Sequence, residues 1–145
     1  MPVKPESRLY QRLRENLSSS DCHITRIESR VGLGIPDCLI AFKRSREFVL
    51  LELKVVTRGL KVALSPHQVA FHLKHADMHC PTFIMVLYSP AGKRKEAQLL
   101  LYGGEQVMDV HKLGVQAEPL ARWPWLGVPW QMVKHCLLTG EPIDG

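Results

Sequence analysis

Gly34-Ile35-Pro36-Asp37-Cys38-Leu39-Ile40-Ala41-Phe42-Lys43-Arg44-Ser45-Arg46-Glu47-Phe48-Val49-Leu50-Leu51-Glu52-Leu53-Lys54-Val55-Val56 is the stretch that decides the fold. Two β-rich runs, residues 38–42 and 48–56, flank a charged segment, which is the pattern of two strands joined by a polar turn. A turn centred near Ser45 and Arg46 sets Asp37 opposite Lys54 and diagonal to Glu52. Because side chains alternate along a strand, Glu52 and Lys54 share one face, while Leu51, Leu53 and Val55 point into the core.

Outward from this hairpin, the chain reads as alternating helices and strands. Pro5, Leu9, Tyr10, Leu13 and Leu17 have helical spacing, so residues 5–18 form an amphipathic helix that stops at Ser18-Ser19-Ser20-Asp21. His23 to Ser29 alternates apolar with polar residues, as a half-buried strand does. Val31 to Pro36 then breaks regular structure with two glycines and a proline. Ser65-Pro66 opens a second helix to about Met78, with Ser65 as N-cap, Pro66 at the first helical position and Gln68 closing a capping box. Thr82 to Tyr88 and Ala97 to Tyr102 read as two further strands. Pro129 to Leu138, ahead of Gly140, reads as a short C-terminal helix. The economical solution is one α/β domain over residues 1–145, with a central mixed β-sheet flanked by helices.

The composition fits an ordinary globular domain: 145 residues, 46% hydrophobic and 23% charged. No apolar run is long enough to cross a bilayer and Met1 to Pro5 lacks the apolar core of a signal peptide, so cytoplasm is the expected compartment. Cys22, Cys38, Cys80 and Cys136 are widely spaced, which argues against a zinc knuckle or a disulfide framework and for reduced, mostly buried thiols. Nineteen Lys and Arg against fourteen Asp and Glu give +5, which suits a polyanionic partner without demanding one. Much of the basic charge falls in the first 61 positions, and if those residues share a face, that face is a phosphate track.

Two carboxylates and an ammonium are unexpected in the most apolar part of the chain. Burying them is costly unless a hard divalent cation offsets the charge. Mg²⁺ fits, because it takes oxygen ligands, keeps several waters and needs only one or two protein carboxylates beside phosphate oxygens. A cation there would polarise a phosphate and acidify a bound water, with Lys54 orienting that water or stabilising developing charge. In the plainer reading Asp37 is a turn residue and Glu52 and Lys54 are a solvated strand face, but the apolar surroundings weigh against it.

Pro36-Asp37, a spacer and then Glu52-Leu53-Lys54 resembles the signature of the PD-(D/E)xK nuclease superfamily. Leu64-Ser65-Pro66-His67-Gln68, followed by the apolar strand Phe83 to Leu87, resembles its VRR-NUC and phage Holliday-junction-resolvase branch, which has a glutamine at that point. Glu6, on the same face as Leu9, Tyr10 and Leu13, best matches the acidic residue on the family's first helix; Glu15 points elsewhere. The resemblance covers roughly residues 5 to 102. It implies a restriction-endonuclease-like domain whose catalytic residues are Glu6, Asp37, Glu52, Lys54 and Gln68. Asp37, Glu52 and the Leu53 backbone carbonyl are the implied metal ligands, with Glu6 a further candidate. The implied cofactor is Mg²⁺, with Mn²⁺ able to substitute, and no small-molecule cofactor or membrane is involved. The implied substrate is branched double-stranded DNA, foremost a four-way junction. Two symmetric cuts then call for a homodimer, in host cytoplasm if the chain is phage-encoded. A restriction-type or flap- and end-processing nuclease is the nearest alternative. A catalytically silent nucleic-acid-binding module is the alternative from another class.

Arg30, Lys43, Arg44, Arg58, Lys61 and His67 are the candidate DNA contacts. Gly32 and Gly34 either let the backbone approach DNA or hold a positive φ. Gln68 has two compatible readings, helix cap and site residue. Glu6 equally suits the first turn of any helix. His72, His75 and His79, with His67 and Cys80 nearby, suggest a zinc site less than a solvated or DNA-facing stripe. Trp123, Trp125 and Trp130 are candidates for an interface, with core packing the plainer reading.

Overall fold

The computed structural model describes residues 4–27, 34–45, 47–91 and 93–142. Among these residues the α-helices and strands follow in the order α1 (Pro5–Leu17), β1 (Cys22–Arg26), β2 (Cys38–Phe42), β3 (Phe48–Val56), α2 (Pro66–Asp77), β4 (Thr82–Tyr88), β5 (Gln98–Gly103), α3 (Val107–Leu113), β6 (Ala121–Pro124) and α4 (Trp130–Thr139). The six strands form one sheet in sequence order. Every neighbouring pair is antiparallel except β3 and β4, which run parallel. Parallel neighbours need a crossover connection, and α2 supplies it. The architecture is therefore α/β, a mixed sheet flanked by four helices, as the sequence implies. No described helix is long and apolar enough to cross a membrane.

Each face of the sheet has its own core. On the first, Leu9, Leu13 and Leu17 of α1 and Val133, Cys136 and Leu137 of α4 pack with Cys38, Ile40, Leu51, Leu53, Met85, Leu101 and Trp123. On the second, Val107 and Val110 of α3 pack with Val56, Ile84, Val86, Leu100 and Tyr102. The i, i+4 spacing of the α1 leucines makes one stripe, and the alternation of the strands sends odd and even residues of β3 to opposite cores. Each fully buried leucine contributes about 1.5–3 kcal/mol relative to exposure.

Three expectations need correction. The hairpin register differs by two positions: Cys38 pairs with Leu51. The turn is centred earlier than expected, since Phe42 N–H donates to Glu47 O at 3.5 Å. A shift of two keeps every side chain on its face, so only the partners change. Strand β1 starts at Cys22, one residue before its expected start, and the described strand ends at Arg26. Two elements in the C-terminal third, α3 and β6, are not foreshadowed by the sequence pattern at all.

The C-terminal helix runs from Trp130 to Thr139, with Gly140 at φ 75° closing it. Trp123 is buried in the first core, and Trp125 and Trp130 meet edge-to-face with centroids 6.2 Å apart, so the tryptophans serve packing first. All four cysteines are free, and only Cys80 is exposed.

Candidate active site

Asp37 sits at the entrance to β2, directly before the first paired position, and the register places it beside Glu52 rather than opposite Lys54. Its Oδ2 accepts a hydrogen bond from Leu53 N–H at 2.8 Å, which ties the carboxylate to β3. Glu52, in the middle of the sheet, is 1% exposed, and its Oε1 has no hydrogen-bond partner. Burial pushes the Glu52 carboxyl well above the usual carboxylate range, hydrogen bonding and repulsion from Asp37 add to the shift, and Lys54 opposes it. A buried acceptor without a partner costs about 1–3 kcal/mol, more if charged.

Lys54 lies on the same face, half-buried, and its Nζ donates to Gln68 Oε1 at 3.1 Å. The same Gln68 oxygen accepts Ser65 N–H at 2.9 Å, while Gln68 N–H donates to Ser65 Oγ at 3.1 Å. The two readings of Gln68 thus coexist: the capping box is complete, and its side chain also holds the lysine. Gly34, at φ +76°, explains how the chain reaches this helix start, since a Cβ there would overlap the His67 carbonyl. Its positive φ serves a close approach to α2.

Glu6 is in the first turn of α1, half-buried, and its charge reaches Glu52, helping to raise its carboxyl. Among the described residues, no three His, Cys, Asp or Glu side chains cluster as metal ligands. The pair itself fits a divalent cation: a buried carboxylate with an orphaned oxygen beside a second carboxylate is a hard-oxygen donor set, and Mg²⁺ typically takes one or two carboxylates.

The basic residues do not share one face. Lys43 and Arg44 occupy the β2–β3 turn, at the end of the hairpin away from Asp37, and Arg44 lies near Asp21. Arg58 and Lys61 are exposed in the β3–α2 connection at the other end, and His67 is exposed in the first turn of α2. Arg30 and Gly32 lie outside the described residues. Of the N-terminal arginines, Arg12 stacks over Trp125 and Arg26 over Tyr10, both 5.5 Å from the ring centroid.

The histidine stripe is not solvated as a whole. His72 is fully buried, its Nδ1 2.9 Å from Thr82 Oγ1 and its Nε2 without a partner. Burial pulls its imidazole down to about 4, with His75 and Lys54 adding to the shift. His75 stacks on Phe71 with centroids 3.9 Å apart. His79 caps the end of α2 at φ 58°. The neighbourhood of His72 and Thr82 is a polar feature of the second face that residue spacing does not reveal. Spacing alone does not tell a helix's inner face from its outer one when both carry histidines.

Comparison of the chain with models of known protein families, with curated proteins and with solved structures finds no match.

Proposed function

We propose that the chain is a metal-dependent DNA endonuclease of the PD-(D/E)xK kind that hydrolyses phosphodiester bonds in branched DNA, foremost four-way junctions, as a homodimer. One observation carries the reading. Glu52 keeps a buried carboxylate oxygen without a partner beside Asp37, two residues from a lysine held in place by Gln68. A domain selected for stability alone would replace such a group, because an apolar residue there would be more stable.

Asp37 and Glu52 would hold Mg²⁺ or Mn²⁺, with the Leu53 carbonyl and Glu6 as further candidates. When bound, the cation supplies Lewis acidity toward the phosphate and a water of lowered pKa. Asp37 arrives already oriented, because Leu53 N–H fixes its Oδ2. Lys54 has three protons and gives one to Gln68, so two remain for the attacking water and a phosphate oxygen. Gln68 therefore positions the lysine and does not itself need to touch DNA. Two symmetric cuts across a junction require two such sites, which a homodimer provides.

The test is cleavage of a labelled synthetic four-way junction beside a linear duplex of matching sequence, with Mg²⁺ and with chelator, by the parent chain and Asp37→Ala. Paired, metal-dependent nicks in the junction alone, lost in Asp37→Ala, are the expected result. Equal cutting of both substrates would replace the resolvase reading with a restriction-type or flap-processing nuclease. Tight binding without cutting would overturn the enzyme and leave a silent binding module.

A further inference from the structure

We infer that the loops at the end of the sheet where β3 and β4 finish form a cationic ridge that tracks the backbone of double-stranded DNA beside the site. The inference deepens the nuclease reading and rests on it for the identity of the polyanion. Three segments make the ridge, and backbone contacts join them. Ser89 N–H donates to Val56 O at 2.9 Å and Ala91 N–H to Thr57 O at 3.3 Å, which fastens the β4–β5 loop to the start of the β3–α2 connection. Val115 N–H donates to Leu60 O at 2.8 Å, which fastens the end of α3 to the same connection. A cleft of about 400 Å³ between the last two segments is lined by Lys61, His111 and Lys112.

Arg58, Lys61, Arg94, Lys95 and Lys112 are all exposed. Among the described residues, none of the five has an acidic partner within ion-pair distance, and the nearby Glu96 is taken by Lys93 at 4.0 Å. The opposite end of the sheet is mixed in charge: exposed Lys43 and Arg44 occupy its β2–β3 turn, and a cleft of about 440 Å³ there is lined by Glu47 and Glu105. Basic side chains free of acidic partners on three joined segments draw a polyanion to the first end. Thr57, where the ridge starts, follows Lys54 by three strand residues, a distance of about 10 Å. That equals about three base pairs of duplex rise. A duplex with its scissile phosphate at Lys54 therefore presents its flanking phosphates to Arg58, Arg94 and Lys95. The exposed Leu60 and Leu113 border the ridge and do not interrupt its charge.

The experiment is anisotropy titration of a labelled duplex and a labelled four-way junction in chelator, from about 50 to 200 mM salt, so that binding is read without cleavage. The full chain is compared with Arg58→Gln/Arg94→Gln/Lys95→Gln and with Lys74→Gln, a control on the exposed side of α2 toward its other end. The triple variant should bind at least tenfold more weakly at mid-range salt. The slope of log affinity against log salt should fall by about 0.9 for each phosphate that the variant no longer neutralises, two to three in all. Lys74→Gln should leave both unchanged, and thermal unfolding should show all three proteins folded. A triple variant that binds like the parent, an equal effect of Lys74→Gln, absence of DNA binding, or binding to anionic vesicles in place of DNA would each overturn the ridge. Failure of the two ideas is distinguishable. A chain that binds through these residues and never cuts sinks the nuclease, whereas one that cuts and ignores them sinks only the ridge.

Discussion

The two faces of β3 obey different rules. On one, Val49, Leu51 and Leu53 alternate into the core beneath α1 and α4, each at most 2% exposed and surrounded by apolar neighbours. On the other, Glu52 and Lys54 face α2, which answers with Gln68 and the buried His72 in place of a leucine stripe. Both buried side-chain atoms lacking a partner among the described residues, Glu52 Oε1 and His72 Nε2, belong to this second set. The same strand thus satisfies packing on one side and stores unsatisfied polarity on the other. Marginal stability tolerates a few such groups only where the first face is well filled.

The largest contrast should come from Glu52→Gln. Cleavage should fall on the order of 10³-fold, the scale of losing one electrostatic anchor of a reacting phosphate. The metal-free protein should be at least as resistant to heat as the parent, because no carboxyl group then has to give up its charge on burial. Mg²⁺ at about 100 times its Kd should stabilise the parent by about 2.7 kcal/mol and the variant hardly at all. Calorimetric scans with and without Mg²⁺ read this directly. A parent unmoved by the ion would mean that Asp37 and Glu52 hold no metal.

Leu51→Ala, one residue away on the opposite face, should do the reverse. Its cost should be about 2–5 kcal/mol of folding stability through a cavity beneath α1, with cleavage by the folded fraction nearly unchanged. Urea unfolding together with activity normalised to folded protein separates the two effects. A loss of activity as deep as that of Glu52→Gln would erase the distinction between the faces.

His72 gives the second face a pH signature. Its folded imidazole lies near 4, against 6.5 for the free group, so its stabilising contribution is complete above 6.5 and is lost as pH falls toward 4. The full loss is on the order of 3 kcal/mol. In urea titrations across that window, His72→Gln should show a distinctly flatter decline than the parent. Identical slopes would mean that the imidazole protonates without opening the contact with Thr82.

Much of this contrast is legible in the residues themselves. The hairpin strands, the start of α2 and the alternation that separates Glu52 from Leu51 all follow from local pattern, and the bounds of β2 and β3 agree with it. The register does not, because Lys43 to Glu47 contains no glycine to mark the turn. The hairpin geometry also implies that Lys43 and Arg44 lie far from Arg58 and Lys61, which a count of basic residues hides. β6 is four residues ending in a proline, and α3 is seven residues between tight turns, so neither is long enough to show a period. Lys93-Arg94-Lys95 is visible as a charge run, but nothing in sequence places it beside Arg58. The burial of His72 escapes the spacing argument because the inward side of α2 is set by its packing against the sheet.

The smallest effect probes the hinge between the two kinds of residue, the oxygen of Gln68 shared by Ser65 N–H and Lys54 Nζ. Ser65→Ala removes the acceptor for Gln68 N–H and leaves the lysine contact intact, so it should cost about 1 kcal/mol of stability with little change in cleavage. Gln68→Ala removes the other half of the capping box and also frees Lys54, so a similar loss of stability should come with a further drop in cleavage of roughly tenfold. Gln68→Glu keeps an acceptor for both donors and should recover most of that drop. Equal activity in Ser65→Ala and Gln68→Ala would make the glutamine a cap and nothing more. A selective loss in Gln68→Ala, restored in Gln68→Glu, would mean that the packing of α2 sets the position of the lysine, and so that the stability of one element is coupled to the chemistry of the next.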